Sequence, residues 1–167
     1  MKLKTILSSL GILLLLIQFI QPNKNLGTTD PTHSISAVVS LPENINAILE
    51  QSCYDCHSNT THYPWYGYVQ PVAWWLNDHI EEGKQELNFS EFATYNLKRQ
   101  LKKLKSIAEN VREDEMPLPS YLVIHKSSSL TTEQKQALVN WTLESTIALN
   151  GIPSQENKSE NEEAEQH

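Results

Sequence analysis

Three kinds of hydrophobic pattern divide the chain. From Thr5 to Ile20 the residues are apolar on every side, interrupted only by Ser8, Ser9, Gly11 and Gln18. From Asn23 to Leu41 apolar periodicity is lost among Pro, Gly, Ser and Thr, which predicts a linker. From Pro42 to Asn150 apolar residues return at a period near 3.6. Ile45, Ile48 and Leu49 predict a short helix over Pro42–Gln51 that opens on a proline and runs into Cys53. Val72, Trp75, Leu76, His79 and Ile80 share a face of a second helix, Pro71–Gly83, with Gly83 as its stop. Ser90 is the expected cap of a longer third helix, along which Tyr95, Leu97, Leu101, Leu104, Ile107, Ala108 and Val111 form the buried stripe. Lys98, Arg99, Lys102, Lys103 and Lys105 fall on its solvated side. Pro117 and Pro119 end that helix. Thr131, with Gln134 three residues on, predicts a capping box for a last helix that Gly151 stops. The expectation is an all-α domain over residues 42–150, long enough for one core.

The ends change that picture little. Lys2 and Lys4 before the apolar run make residues 1–22 an export signal. Gln18 to Pro22 lacks the small residues a cleavage site needs, so an uncleaved membrane anchor is expected over a cleaved signal peptide. The two lysines would hold that end in the cytoplasm and place the rest on the periplasmic side of a bacterial inner membrane. Residues 151–167 carry Glu156, Glu160, Glu162, Glu163 and Glu165 without an aromatic residue, and predict an acidic disordered tail. The net charge of -7 offers nothing to offset phosphate repulsion, which argues against a nucleic-acid partner. Two cysteines are too few for a disulfide-rich scaffold or a four-thiolate zinc site.

Those two cysteines carry the chemistry. Cys53-Tyr54-Asp55-Cys56-His57 is C-x-x-C-H, the attachment signature of c-type haem. Two thiols at this spacing add to the two vinyl groups of one haem, and the adjacent histidine reaches the iron from the same turn. A redox dithiol would call for a thioredoxin-like βαβ pattern, which is missing. Half a zinc site would need an H-x₃₋₅-H pair, which His62, His79 and His125 do not form. A bare disulfide leaves His57 without a role. The expected cofactor is one haem c per chain, with iron held by His57. Met116, the only internal methionine, lies in a proline-rich loop and is the expected second axial ligand. His79, on the apolar face of the second helix, is its rival. The aromatic residues Tyr63, Trp65, Tyr66, Tyr68, Trp74 and Trp75 follow the motif and are expected around the haem.

In outline, a helix leading into C-x-x-C-H, a Met-Pro loop and a closing helix that holds Trp141 resemble class I cytochrome c. More specifically, Cys53 to Asn59, Tyr63-Pro64-Trp65-Tyr66, Pro71 to Leu76 and Glu115 to Tyr121 resemble the small bacterial haem-binding domain family, over about Leu41 to Ser145. The resemblance implies export, haem attachment at Cys53 and Cys56, and iron ligation by His57. Family members often occur near cytochrome c and di-haem peroxidase modules, which makes such redox proteins the expected partners. With both axial positions filled, the expected function is electron transfer without bond chemistry. The alternative is a haem enzyme or a gas or redox sensor with an open sixth site, and a weaker one is a haem-bearing accessory subunit.

Overall fold

The computed structural model describes residues 2–151. Among the described residues the fold is all-α, with one isolated bridge, Leu26 to Thr60, and no strand. Helix α1 (Lys2–Ile17) carries the apolar run, and Leu3, Leu10 and Leu15 on its different sides are all exposed. No helix among the described residues is long and apolar enough to cross a membrane. Helix α2 (Glu43–Ser52) runs into Cys53, and the single turn α3 (Tyr54–His57) holds the rest of the motif. Helix α4 (Val72–Glu86) crosses behind α3. Helix α5 (Leu97–Arg112) packs against α7 (Thr132–Asn150), and the turn α6 (Pro119–Leu122) lies between them in sequence.

Two apolar clusters result. The larger joins α2, α5 and α7 around Leu49, Phe92, Leu104 and Leu138, which are fully buried. Each such side chain contributes roughly 1.5–3 kcal/mol of transfer free energy. The smaller consists of Tyr66, Leu76 and Ile80. Cys53 packs against the first cluster and Cys56 against the second. The motif turn therefore sits on the seam between them.

The last helix forms as its sequence predicts. Thr131 accepts from the Gln134 N–H at 3.2 Å, and the Gln134 side chain accepts from the Thr131 N–H at 2.9 Å. Thr131→Ala should cost about 1 kcal/mol. Thermal unfolding should show a Tm lower by about 3 °C; an unchanged Tm would mean that α7 is held by packing alone.

Four expectations are corrected. Helix α4 does not stop at Gly83 but continues to Glu86. Ser90 does not cap α5: it is buried in a 3-10 turn (Phe89–Thr94), and Asn96 caps α5 by accepting from the Arg99 N–H at 2.9 Å. The stretch 23–41 is no free linker, since Asn25, Ile35 and Val39 are buried. Asn25 Nδ2 donates to Ser58 O and Thr61 Oγ1, both at 2.9 Å, and its Oδ1 accepts from Lys84 at 2.6 Å. The segment straps the loop after the motif through polar side chains, which hydrophobic periodicity does not register. Lys103, finally, is not on the solvated side of α5; its side chain is 14% exposed. The acidic tail beyond Gly151 lies outside the described residues.

Candidate haem site

His57 is set by α4. Its Nδ1 lies 2.8 Å from the Gly83 carbonyl and 3.1 Å from that of Leu87. Carbonyls only accept, so Nδ1 carries the proton and donates. Nε2 is left with its lone pair, the tautomer a metal ligand requires. Burial also pushes the imidazole pKa down, against the two carbonyl bonds, and favours the neutral ring. The backbone carbonyls thus orient the ring, and burial keeps it neutral.

Gly83 performs a second task. A Cβ built there would meet Cys56 O at 2.8 Å and Cys56 Cβ at 3.3 Å. Its backbone φ needs no glycine; the constraint is the close approach of α4 to α3. The same contact that brings the carbonyl to His57 admits no side chain.

Cys53 and Cys56 are free thiols, part-exposed. Burial, and then the neighbouring charges, push their pKa values up to about 12 and about 11, so both are protonated. Protonation slows the pair as a redox dithiol at neutral pH, because the thiolate is the nucleophile. Among the described residues no cluster of three or more His, Cys, Asp or Glu could hold a bare metal ion.

The structure brings all five residues singled out in the sequence to one cavity of about 300 Å³: Cys53, Cys56, His57, Met116 and His79 line it, together with Ser52, Glu82, Gly83, Glu86 and Tyr121. An adjoining space of about 220 Å³ shares Cys53, His57, Glu86 and Met116 and adds Phe89, Lys103, Ser106, Ile107 and Asn110. Ser52 Oγ, on the wall of the first cavity, is buried without a hydrogen-bond partner. A larger cavity, about 360 Å³, opens near Ile35, Leu41 and Tyr54 and contains none of the five. Apolar walls, two thiols, a lone-pair imidazole nitrogen, a thioether and an orphaned hydroxyl suit a flat, largely apolar iron cofactor.

Met116 is moored to the end of α5. The Asn110 carbonyl accepts from the N–H groups of Glu115 at 2.9 Å and Met116 at 3.2 Å. Asp114, at φ 60°, turns the chain between them and pairs with Lys135 of α7. His79 is also positioned: Nδ1 lies 2.9 Å from the Trp75 carbonyl, and its ring rests on Trp75 with centroids 4.3 Å apart. Of the other histidines, His62 is on the surface beside Asp55, and His125 stacks on Tyr121 at 4.0 Å. The Tyr121 hydroxyl donates to Asp55 Oδ2 at 3.0 Å and ties α6 to the motif turn.

Sequence reasoning missed Gly83, Glu86 and Lys103. Lys103 Nζ donates to Glu86 Oε2 at 3.0 Å, and this bond holds the Glu86 carboxyl below its usual range. The aromatic residues expected around the haem divide: Tyr121, not in that set, lines the cavity, whereas Trp65 is 78% exposed and Tyr68 55%.

A family profile described as "Haem-binding domain" matches residues 12–144. No curated protein and no solved structure matches the chain.

Proposed function

The chain belongs to the haem-binding domain family, and on that premise we propose that it carries one covalent haem c and passes single electrons on the periplasmic side of a bacterial inner membrane. The observation that carries the reading is the meeting of His57, its Nδ1 committed to two carbonyls, with Cys53, Cys56 and Met116 on the walls of one cavity. Cys53 and Cys56 would hold the cofactor by thioether bonds, and His57 and Met116 would hold its iron. Bound there, haem supplies one-electron redox chemistry between ferrous and ferric iron. Lys103, the cationic side chain on the wall, would offset a haem carboxylate. The Gly83 and Leu87 carbonyls would keep the proton on Nδ1 and leave Nε2 to the iron. The apolar run in α1 supports export and tethering, and redox proteins such as other cytochromes or a di-haem peroxidase are the fitting partners.

The test is Met116→Ala. The parent should be six-coordinate, should show the weak near-infrared sulfur-to-iron charge-transfer band when ferric, and should bind carbon monoxide slowly. The variant should lose that band, bind carbon monoxide rapidly and have a lower reduction potential, with its haem still attached. A parent without the band whose carbon monoxide binding is accelerated by His79→Ala instead would move the ligand to His79, which also lines the cavity. A parent that binds carbon monoxide rapidly, whatever stands at 116 or 79, would favour an enzyme or sensor over an electron carrier.

A further inference from the structure

The root of α1 is fastened to the domain. Gln18 and Gln70 bond reciprocally: Gln18 Nε2 donates to Gln70 O at 3.2 Å, and Gln18 Oε1 accepts from the Gln70 N–H at 2.9 Å. The Ile20 carbonyl accepts from Gln70 Nε2 at 2.8 Å and from Trp74 Nε1 at 3.0 Å. Gln21 Nε2 donates to Tyr68 O at 3.2 Å, and Lys24 donates to Gly67 O while lying over the rings of Tyr63 and Tyr68. The segment gripped in this way, Tyr63 to Asn77, contains no charged residue, and neither does Thr5 to Asn23.

The gripped segment is also apolar on its outside. Trp65 is 78% exposed, and Tyr68, Val69, Val72 and Trp75 are exposed as well. Phe19 and Ile20, which follow α1, are exposed too, and the Ile20 carbonyl is bonded to Gln70 and Trp74 of that segment. Trp and Tyr mixed with aliphatic residues, with the single cation Lys24 at the edge, form the composition of the zone between lipid tails and water. A helix that is apolar all round has its stable place in lipid. At 16 residues α1 is about 24 Å long, short of a hydrocarbon core of about 30 Å. An insert shorter than the hydrocarbon core is accommodated by local thinning of the bilayer and by flanking residues that reach the interface, and here the flanking residues are those fastened to the domain.

We propose that the face formed by Trp65, Tyr68, Val69, Val72 and Trp75 is seated in the interfacial zone of a phospholipid bilayer, with α1 inserted beyond it. The inference rests on the tether proposed above and adds an orientation to it. Val72 and Trp75 stand on the same stripe of α4 as His79, Glu82 and Glu86, which line the haem cavity. From Trp75 to Glu82 the helix rises about 10 Å. The haem site would therefore be held a short, fixed distance above the membrane surface rather than swinging on a flexible stalk.

The experiment uses the full-length holoprotein, kept reduced, in phosphatidylcholine–phosphatidylglycerol nanodiscs with and without phosphatidylcholine spin-labelled high on its acyl chain. Indole N–H signals report on each tryptophan. Those of Trp65 and Trp75 should lose more than half of their intensity in the labelled discs. That of Trp141, buried and bonded to Ser40 O at 2.8 Å, should keep its intensity. Loss of signal from the Leu10 and Leu14 methyls while Trp65 and Trp75 keep theirs would overturn the seating and leave the tether standing. Retention by all four would overturn both. Protection that follows protein concentration and not the labelled lipid would assign the face to a second copy and also overturn the proposal. A second measurement is independent of the label: in a Leu10→Arg, Leu14→Arg background, Trp65→Gln with Trp75→Gln should lower vesicle co-sedimentation several-fold. No change there would count against the seating.

Discussion

Replacing Cys53 and Cys56 together with alanine is expected to leave no haem on the polypeptide after acid–acetone extraction, whereas the parent should retain it in full. The spacing of two thiols in one turn beside a lone-pair imidazole is what the proposed attachment needs, and no other residue near the cavity offers a second pair. The structural effect should be as large as the chemical one. Without its cofactor the domain keeps two adjoining spaces of about 300 and 220 Å³ at the seam of its apolar clusters. The side chains on those walls then lack contacts on one side. A fall in Tm of about 10 °C or more is expected, the shift that roughly 3 kcal/mol produces in a domain of this size. Haem that extracts freely from the parent, made with c-type maturation machinery, would sink the covalent reading.

Gly83→Val should be the most damaging substitution among residues with no part in attachment. The new Cβ would lie 2.8 Å from a backbone oxygen and 3.3 Å from a Cβ, neither of which belongs to the movable end of a side chain. Relief requires α3 to back away from α4, which stretches the 2.8 Å bond from His57 Nδ1 to the Gly83 carbonyl. Overpacking of this kind costs about 1–3 kcal/mol. Gly83→Ala gains back up to ~1 kcal/mol of helix propensity, whereas valine gains less and adds bulk. The expected order of holoprotein yield and Tm is parent, then alanine, then valine, with a changed carbon monoxide binding rate in both variants. Gly11→Ala, whose Cβ meets nothing within 4 Å, is the control. A valine variant with parental Tm and spectrum would show that the crossing of α3 and α4 is looser than described.

What could be read along the chain was whatever is written locally. The attachment motif, the capping box of α7 and the helical stripe of α5 each depend on residues within a few positions of one another. Met116 and His79 could be singled out by residue type, although only the fold places both on one wall. Gly83 was misread because a glycine at the end of a periodic run looks like a helix stop, while its actual reason lies 27 positions earlier in the chain, at Cys56. Lys103 sits in a run of similar cations, and nothing local distinguishes the one that pairs with Glu86 at the end of α4. The strap over residues 23–41 is held by amide and hydroxyl hydrogen bonds, as at Asn25, a kind of cohesion that leaves no periodic trace.

The seam between the two apolar clusters bears on how the molecule is assembled. The larger cluster gathers α2, α5 and α7 around most of the buried apolar side chains. The smaller has three buried members and leans on the motif turn. On the proposed covalent reading, a chain emerging unfolded could consolidate the first while the second stays open, leaving the turn accessible for addition of its two thiols to the vinyl groups of a haem. Cys53 packs against one cluster and Cys56 against the other, so a haem held by both thiols would be bonded to a residue of each. Maturation would then be an ordered sequence in which loading is the final folding step, and slow hydrogen exchange should reach Leu76 and Ile80 only after it.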